Sequence, residues 1–232
     1  MALGCTELIT EVKAALGRET DTALITDARV LRWLNKAQED IAEKCTGLLA
    51  LDFKNTTSVD FTHTLSYPLS DWTSSLTDNT TTNRICHIKA AYYAFSAESR
   101  RLQYLPLSEF DNQFIDATNV DFSTTEVSLF TRRGNSIEIA PGCNTENADK
   151  DFRLDGSLYP PDFTFTDSTA YSALDNADDL LIAYATFKAW TYIGKKEDAQ
   201  GWLSMYNGLL EEYIERNNKL DEWDANLYGV WI

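Results

Sequence analysis

"VLRWLNKAQEDIAEKC", Val30 to Cys45, reads as a helix. Val30, Leu34, Ala37, Ile41 and Cys45 recur at spacings of four, three, four and four, so they share one face of a 3.6-residue period. Leu31 and Trp33 widen that stripe on either side, and Arg32, Lys36, Glu39 and Glu43 lie opposite. Asp27 is a capping residue at its start, and Gly47 suits its end. Two amides stand in the middle. Gln38 lies at the edge of the stripe and Asn35 further round. An amide there is expected to satisfy loop backbone groups, or to bond across helix–helix or subunit contacts, rather than to perform catalysis.

A shorter helix precedes this one. Thr6 is its expected cap, Leu8, Ile9, Val12, Ala15 and Leu16 form its apolar face, and Gly17 follows its end. Two helices are expected near the other end of the chain. Asn176 to Ile193 is apolar on nearly every side, which predicts a buried central helix. Lys196 to Asn218 carries a continuous stripe that includes Ala199, Trp202, Tyr206, Leu210 and Tyr213. After Leu220 comes "DEWDANLYGVWI", read as an extended tail without helical period. Its apolar content, Trp223, Leu227, Tyr228, Trp231 and Ile232, calls for a surface to bury against, on its own domain or on another chain.

Between the helices the character changes to Thr, Ser, Asn and Asp with short apolar alternations. "SVDFTHTLSYPL" and "RICHIKAAYYAF" read as strands, the second more buried. "EVSLFTRRGNSIEIAP" reads as a hairpin on a Gly134-Asn135 turn, with Val127 and Leu129 facing one way and Ile137 and Ile139 following. "LPLSEFDNQFI" predicts a short helix from Ser108. Pro141 to Asp175 reads as irregular, with a Pro160-Pro161 break. The expected fold class is α+β. Residues 1–47 and 176–219 form a helical bundle from both termini, 48–175 a long β-rich insertion between helix 2 and the C-terminal helix pair, and 220–232 an extended tail.

The chemistry that the composition supports is limited. A formal net charge of −16 argues against binding through phosphates, which needs clustered Lys and Arg. The basic clusters, Arg100-Arg101, Arg132-Arg133 and Lys195-Lys196, are short. Cys5, Cys45, Cys86 and Cys143 form no C-x-x-C pair and read as reduced thiols. Zinc would have to use Cys86, His87 and His63, but neighbouring strand residues point to opposite faces and the closely spaced ligand pairs are missing. There is no G-x-S-x-G elbow and no phosphate-loop glycine spacing, so no enzyme, metal or cofactor is expected. "MALGCTELITEVKAAL" is not read as a signal peptide, and Leu180 to Ile193 is too short and interrupted by Lys188 to span a bilayer, so no membrane partner is expected.

The opening helix also resembles the second helix of the head–tail adaptor (connector) proteins of tailed bacteriophages, through Leu34, Asn35, Ala37, Gln38, Ile41 and Ala42. "DLLIAYATFKAWTYIGKKEDAQGWLSMYNGLLEEY" is similar to the family's closing helix pair at Ala199, Gln200, Trp202 and Tyr206, and "LYPPDF", Leu158 to Phe163, to the irregular segment before it. The resemblance covers both ends of the chain and leaves the middle unmatched. It implies a virion protein of the neck, at the head–tail interface, made in the host cytoplasm. Such a protein forms a homo-oligomeric ring, dodecameric in the family, that binds the portal protein on one side and a tail tube or nozzle protein on the other, with tail fibres a further partner. DNA passes through the ring without specific binding during ejection. The portal contact is assigned to Trp223, Leu227, Tyr228, Trp231 and Ile232, because the family's C-terminal segment clasps the portal. A stopper or tail-completion ring is the near alternative. From a different class, an acidic DNA mimic or protein-binding module that captures a basic partner also fits the charge.

Overall fold

The computed structural model describes residues 2–17, 23–46, 48, 51–54, 59–60, 66–73, 84–95, 98–114, 127–140, 151–164 and 170–228. Helices α1 (Cys5–Ala15), α2 (Asp27–Lys44), α5 (Asp178–Ile193) and α6 (Lys196–Tyr228) belong to one compact unit, residues 1–51 with 159–232. The strands and two short helices, α3 (Ser70–Thr73) and α4 (Leu107–Gln113), belong to a second, residues 52–158. The fold class is α+β.

In the helical unit, α5 packs against α1, α2 and α6, which is why its apolar residues need no single face. Leu181, Ala183, Ala185 and Ala189 are fully enclosed. The stripe of α2 is buried as its spacing requires, at Val30, Leu34, Ala37 and Ile41. The caps differ from expectation by one position or two. Thr26, not Asp27, caps α2: its hydroxyl accepts from the Arg29 amide at 3.3 Å, and Asp27 becomes the first helical residue. Asp27 instead pairs with Lys13 of α1 at 2.5 Å. Gly4, not Thr6, precedes α1, and its amide donates to the Glu7 carboxylate at 2.8 Å. Gly17 takes the left-handed conformation that ends α1, with φ of 61°. α2 ends at Lys44 on Cys45, and Gly47 lies outside the described residues.

The second unit holds two sheets. One runs β1 (Asp52–Lys54), β9 (Asp151–Leu158), β4 (Ile85–Phe95), β5 (Glu98–Arg101), with β2 (Val59–Asp60) also on β9. The other runs β3 (Ser66–Pro68), β8 (Ser136–Ala140), β7 (Leu129–Arg133), β6 (Gln103–Tyr104). Leu102 alone separates β5 from β6, so the chain steps from one sheet to the other through a single buried residue. One core serves both sheets: Trp72 and Phe152 meet edge to face at 5.1 Å, Tyr67 packs on both rings, and the Trp72 indole donates to the Phe152 carbonyl at 3.1 Å.

The expected hairpin is β7–β8, turning at Gly134 with φ of 59°. Its inward residue on β7 is Phe130, which pairs with Ile139, and not Leu129. Leu129 packs instead with Leu105 and Phe110 of the α4 region. The largest correction is β9. The segment from Pro141 to Asp175 reads as irregular, yet Asp151–Leu158 is a strand paired with β1, β2 and β4. Asp and Gly lower its strand propensity, and Phe152 and Leu154 are its only buried apolar side chains. Gly156 is required there: a Cβ would run into the His87 carbonyl, where β4 shifts register on both sides of Ile88. Residues 159–175 group with the helices, so the insertion is shorter than the expected 48–175.

The final correction concerns the tail. α6 continues as helix to Tyr228, where an extended segment is expected from residue 220. "KLDEWDANLY" contains no Gly or Pro, and nothing in it breaks a helix before Gly229.

Candidate functional site

The amides of the opening helix hold a loop. Asn35 Nδ2 donates to the Phe163 carbonyl at 3.1 Å, and the Phe163 amide donates back to Asn35 Oδ1 at 2.9 Å. One turn on, Gln38 Nε2 donates to the Pro161 carbonyl at 3.3 Å, and the Ser172 hydroxyl donates to Gln38 Oε1 at 2.8 Å. Gln38 is 1% exposed. The Ser172 oxygen accepts from the Leu174 amide at 3.1 Å. Tyr159 donates to Glu43 at 3.1 Å, and the Cys5 amide donates to the Ala170 carbonyl at 2.9 Å. The segment containing "LYPPDF" is thus stitched to α2 and α1 by polar groups, as the stripe-edge position of the amides predicts.

Polar contacts also link α6 to α2. Asp40 Oδ2 accepts from Lys44 Nζ and from the Tyr206 hydroxyl, both at 2.6 Å. Burial and that carboxylate raise the Tyr206 hydroxyl well above the ordinary tyrosine range. Burial pushes Tyr184, which meets Tyr206 edge to face at 5.1 Å, up to about 12, with Asp40, Glu39 and Glu43 adding to the shift. Tyr213 is likewise pushed up to about 12 by burial. All are neutral at pH 7 and act as wedges with a hydrogen-bonding tip.

The outer face of α2 carries a cleft of about 530 Å³, lined by Leu31, Arg32, Trp33, Asn35, Lys36 and Asp162 among others. Trp33 meets Tyr192 of α5 at 6.0 Å. Arg29 lies over the Tyr192 ring at 4.3 Å and donates to the Leu24 carbonyl at 2.7 Å. Trp33, Tyr192 and Arg29 did not stand out in the sequence as a site; Trp33 reads only as the edge of a stripe.

The basic pairs noted in the sequence are engaged within the chain where their contacts are seen. Arg132 reaches the Cys86 and Ile85 carbonyls at 2.7 and 3.3 Å, at the register shift of β4. Arg133 bonds Glu138 at 2.7 Å and also pairs with Asp111. Arg101 donates to the Lys89 carbonyl at 3.2 Å. Cys86 is buried, His63 lies outside the described residues, and among the described residues no three of His, Cys, Asp and Glu gather as a metal site. No helix among them is long and apolar enough to cross a membrane. Of the residues assigned to a partner, Trp223, Leu227 and Tyr228 fall in the last turns of α6, and Trp231 and Ile232 lie outside the described residues.

The amides of α2 thus serve contacts within the chain, beside an open cleft that carries Trp33. The family comparison gives the class: the model for SU10 adaptor protein matches residues 5–228, and the chain belongs to that family. It is therefore a structural bacteriophage adaptor, and its family works with other virion components in the phage neck. No curated protein matches the chain.

Proposed function

We propose that the protein is a head-to-tail adaptor that assembles as a ring, dodecameric as in the adaptors it resembles, between the portal protein and the tail tube or nozzle, and lines the DNA exit channel. The observation that carries this reading is α6. Among residues 196–218 the last buried side chain is Tyr213, and the helix runs on to Tyr228. At about 1.5 Å per residue the whole helix is about 50 Å long. Such an extension gains its stability from a partner rather than from its own propensity.

Leu220, Trp223 and Leu227 recur at spacings of three and four. The portal contact is therefore proposed as a helix laid in a groove through Trp223, Leu227 and Tyr228, and not as an added strand; Trp231 and Ile232, outside the described residues, are assigned to the same contact. Repetition around a ring turns a weak contact into a firm one. The net charge of −16 supports a channel that repels phosphates and lets DNA slide.

The test is deletion of residues 221–232. The truncated chain is expected to stay folded, with its thermal midpoint moved by only a few degrees, and to lose portal attachment in a pull-down. Aggregation or a far lower midpoint places the segment in the protein's own core and overturns the portal assignment. Duplex DNA binding at physiological salt is expected to be undetectable in an electrophoretic assay; a sub-micromolar shift contradicts the channel reading.

A further inference from the structure

We infer that α4 is a flap: it lifts from the outer face of the β7–β8 hairpin far more readily than the sheet beneath it unfolds, and salt favours the lifted state. The inference is independent of the ring reading above.

Alternation along β7 puts Leu129, Thr131 and Arg133 on the face turned away from Phe130 and the shared core. α4 covers that face. Leu129 packs on the small cluster of Leu105, Phe110 and Ala140, and Arg133 pairs with Asp111. Thr131 lies between these two contacts and is fully buried. Its hydroxyl has no hydrogen-bonding partner among the described residues. A buried hydroxyl without a partner opposes closure, because water satisfies it once α4 lifts.

Little holds α4 closed. Phe110 is its one buried side chain. Pro106 precedes it without a side-chain cap bond, and a helix as short as Leu107–Gln113 does not stand alone. Both members of the Arg133–Asp111 pair are nearly half exposed, so the pair is weak and screened by salt. Glu138 accepts from Arg133 at 2.7 Å and keeps it paired when α4 lifts. The sheet below is held quite differently, by Tyr67, Trp72, Phe152, Ile137 and Ile139 in one core. Leu105 stays with the sheet, since its amide donates to the Phe130 carbonyl at 2.9 Å, and the flap begins at Pro106. Opening uncovers Leu129, Thr131 and Ala140 while the β7–β8 ladder stays intact.

The test is native-state hydrogen exchange on the full chain, read separately for residues 107–114 and 129–140. Residues 107–114 are expected to exchange at least about a hundredfold faster than 129–140. Their exchange is expected to rise by about twofold more as sodium chloride goes from about 0.1 to about 1 M. Thr131→Val replaces the hydroxyl with a methyl group of the same shape, and is expected to slow exchange of 107–114 by about tenfold. Asp111→Asn is expected to speed that exchange and to abolish its salt response. A common rate for the two segments in the wild type overturns the flap, for α4 then opens only with its sheet. Faster exchange in Thr131→Val also overturns it, since the hydroxyl is then a bonded group that holds α4 down. So does a salt response that persists in Asp111→Asn.

Discussion

Asn35 and Phe163, 128 residues apart, hold each other as paired strands do: the Phe163 amide donates to Asn35 Oδ1 at 2.9 Å and Asn35 Nδ2 donates to the Phe163 carbonyl at 3.1 Å. A side-chain amide has the donor and acceptor of a peptide group, so it can close such a pair from a helix surface where no backbone group is free. Phe163 itself is buried, which makes this pairing the polar half of a contact whose apolar half is its ring.

Asn35→Ala leaves two half-buried backbone groups unpaired and is expected to cost about 2–3 kcal/mol. Thermal denaturation should show the loss. Hydrogen exchange should show it locally, as faster exchange of the Phe163 amide. Unaltered exchange at Phe163 would mean that the ring alone holds the segment.

Leu34 is fully buried on α2 and Leu210 is buried on α6. Leu34→Asp or Leu210→Asp forces an unpaired charge into that packing, and each is expected to cost more than about 4 kcal/mol. The helical signal in circular dichroism should collapse at temperatures where the wild type is folded. A wild-type melting temperature in either variant contradicts the assigned face.

Gly156→Ala puts a methyl group onto the His87 carbonyl, an atom of the backbone that cannot rotate away. β9 must then separate from β4. A loss of at least about 3 kcal/mol is expected, read as lower protein yield and faster proteolysis within residues 52–158. The neighbouring Ser157→Ala, without such a clash, serves as the control.

Alkaline pH tests the tyrosine wedges. Burial, with nearby carboxylates adding to it for Tyr206 and Tyr184, holds Tyr206, Tyr184 and Tyr213 protonated above the usual range near about 10. Unfolding releases their protons, so the unfolded chain binds fewer protons than the folded one in that range. The stabilisation is therefore complete below about pH 10 and is lost as pH rises from there through about 12. Tyr206→Phe removes the bond to Asp40 and should cost about 1 kcal/mol at pH 7, while making the decline above pH 10 shallower. An equally steep decline in that variant would assign it to other groups.

Much of the fold can be read from local pattern. The four principal helices, the hairpin at Gly134-Asn135 and the burial of α5 follow from periods of 3.6 and 2, which depend on a few neighbouring residues only. The structural role of Asn35 and Gln38 is also legible, because an amide at the edge of an apolar stripe has few other uses. Their partners are not: no local rule connects position 35 to position 163.

What the sequence by itself determined is therefore which segments are helical, which faces are apolar, and how acidic the chain is. Tertiary structure decided the rest. Asp151–Leu158 becomes a strand because β1, β2 and β4 offer it hydrogen bonds, overriding the poor propensity of Asp and Gly. Phe130 rather than Leu129 turns inward because the register against Ile139 sets which side of β7 faces the core. Trp33 meets Tyr192 because α5 packs against α2. In each case the deciding energy belongs to a contact between residues far apart in the chain, and such contacts have no period to read.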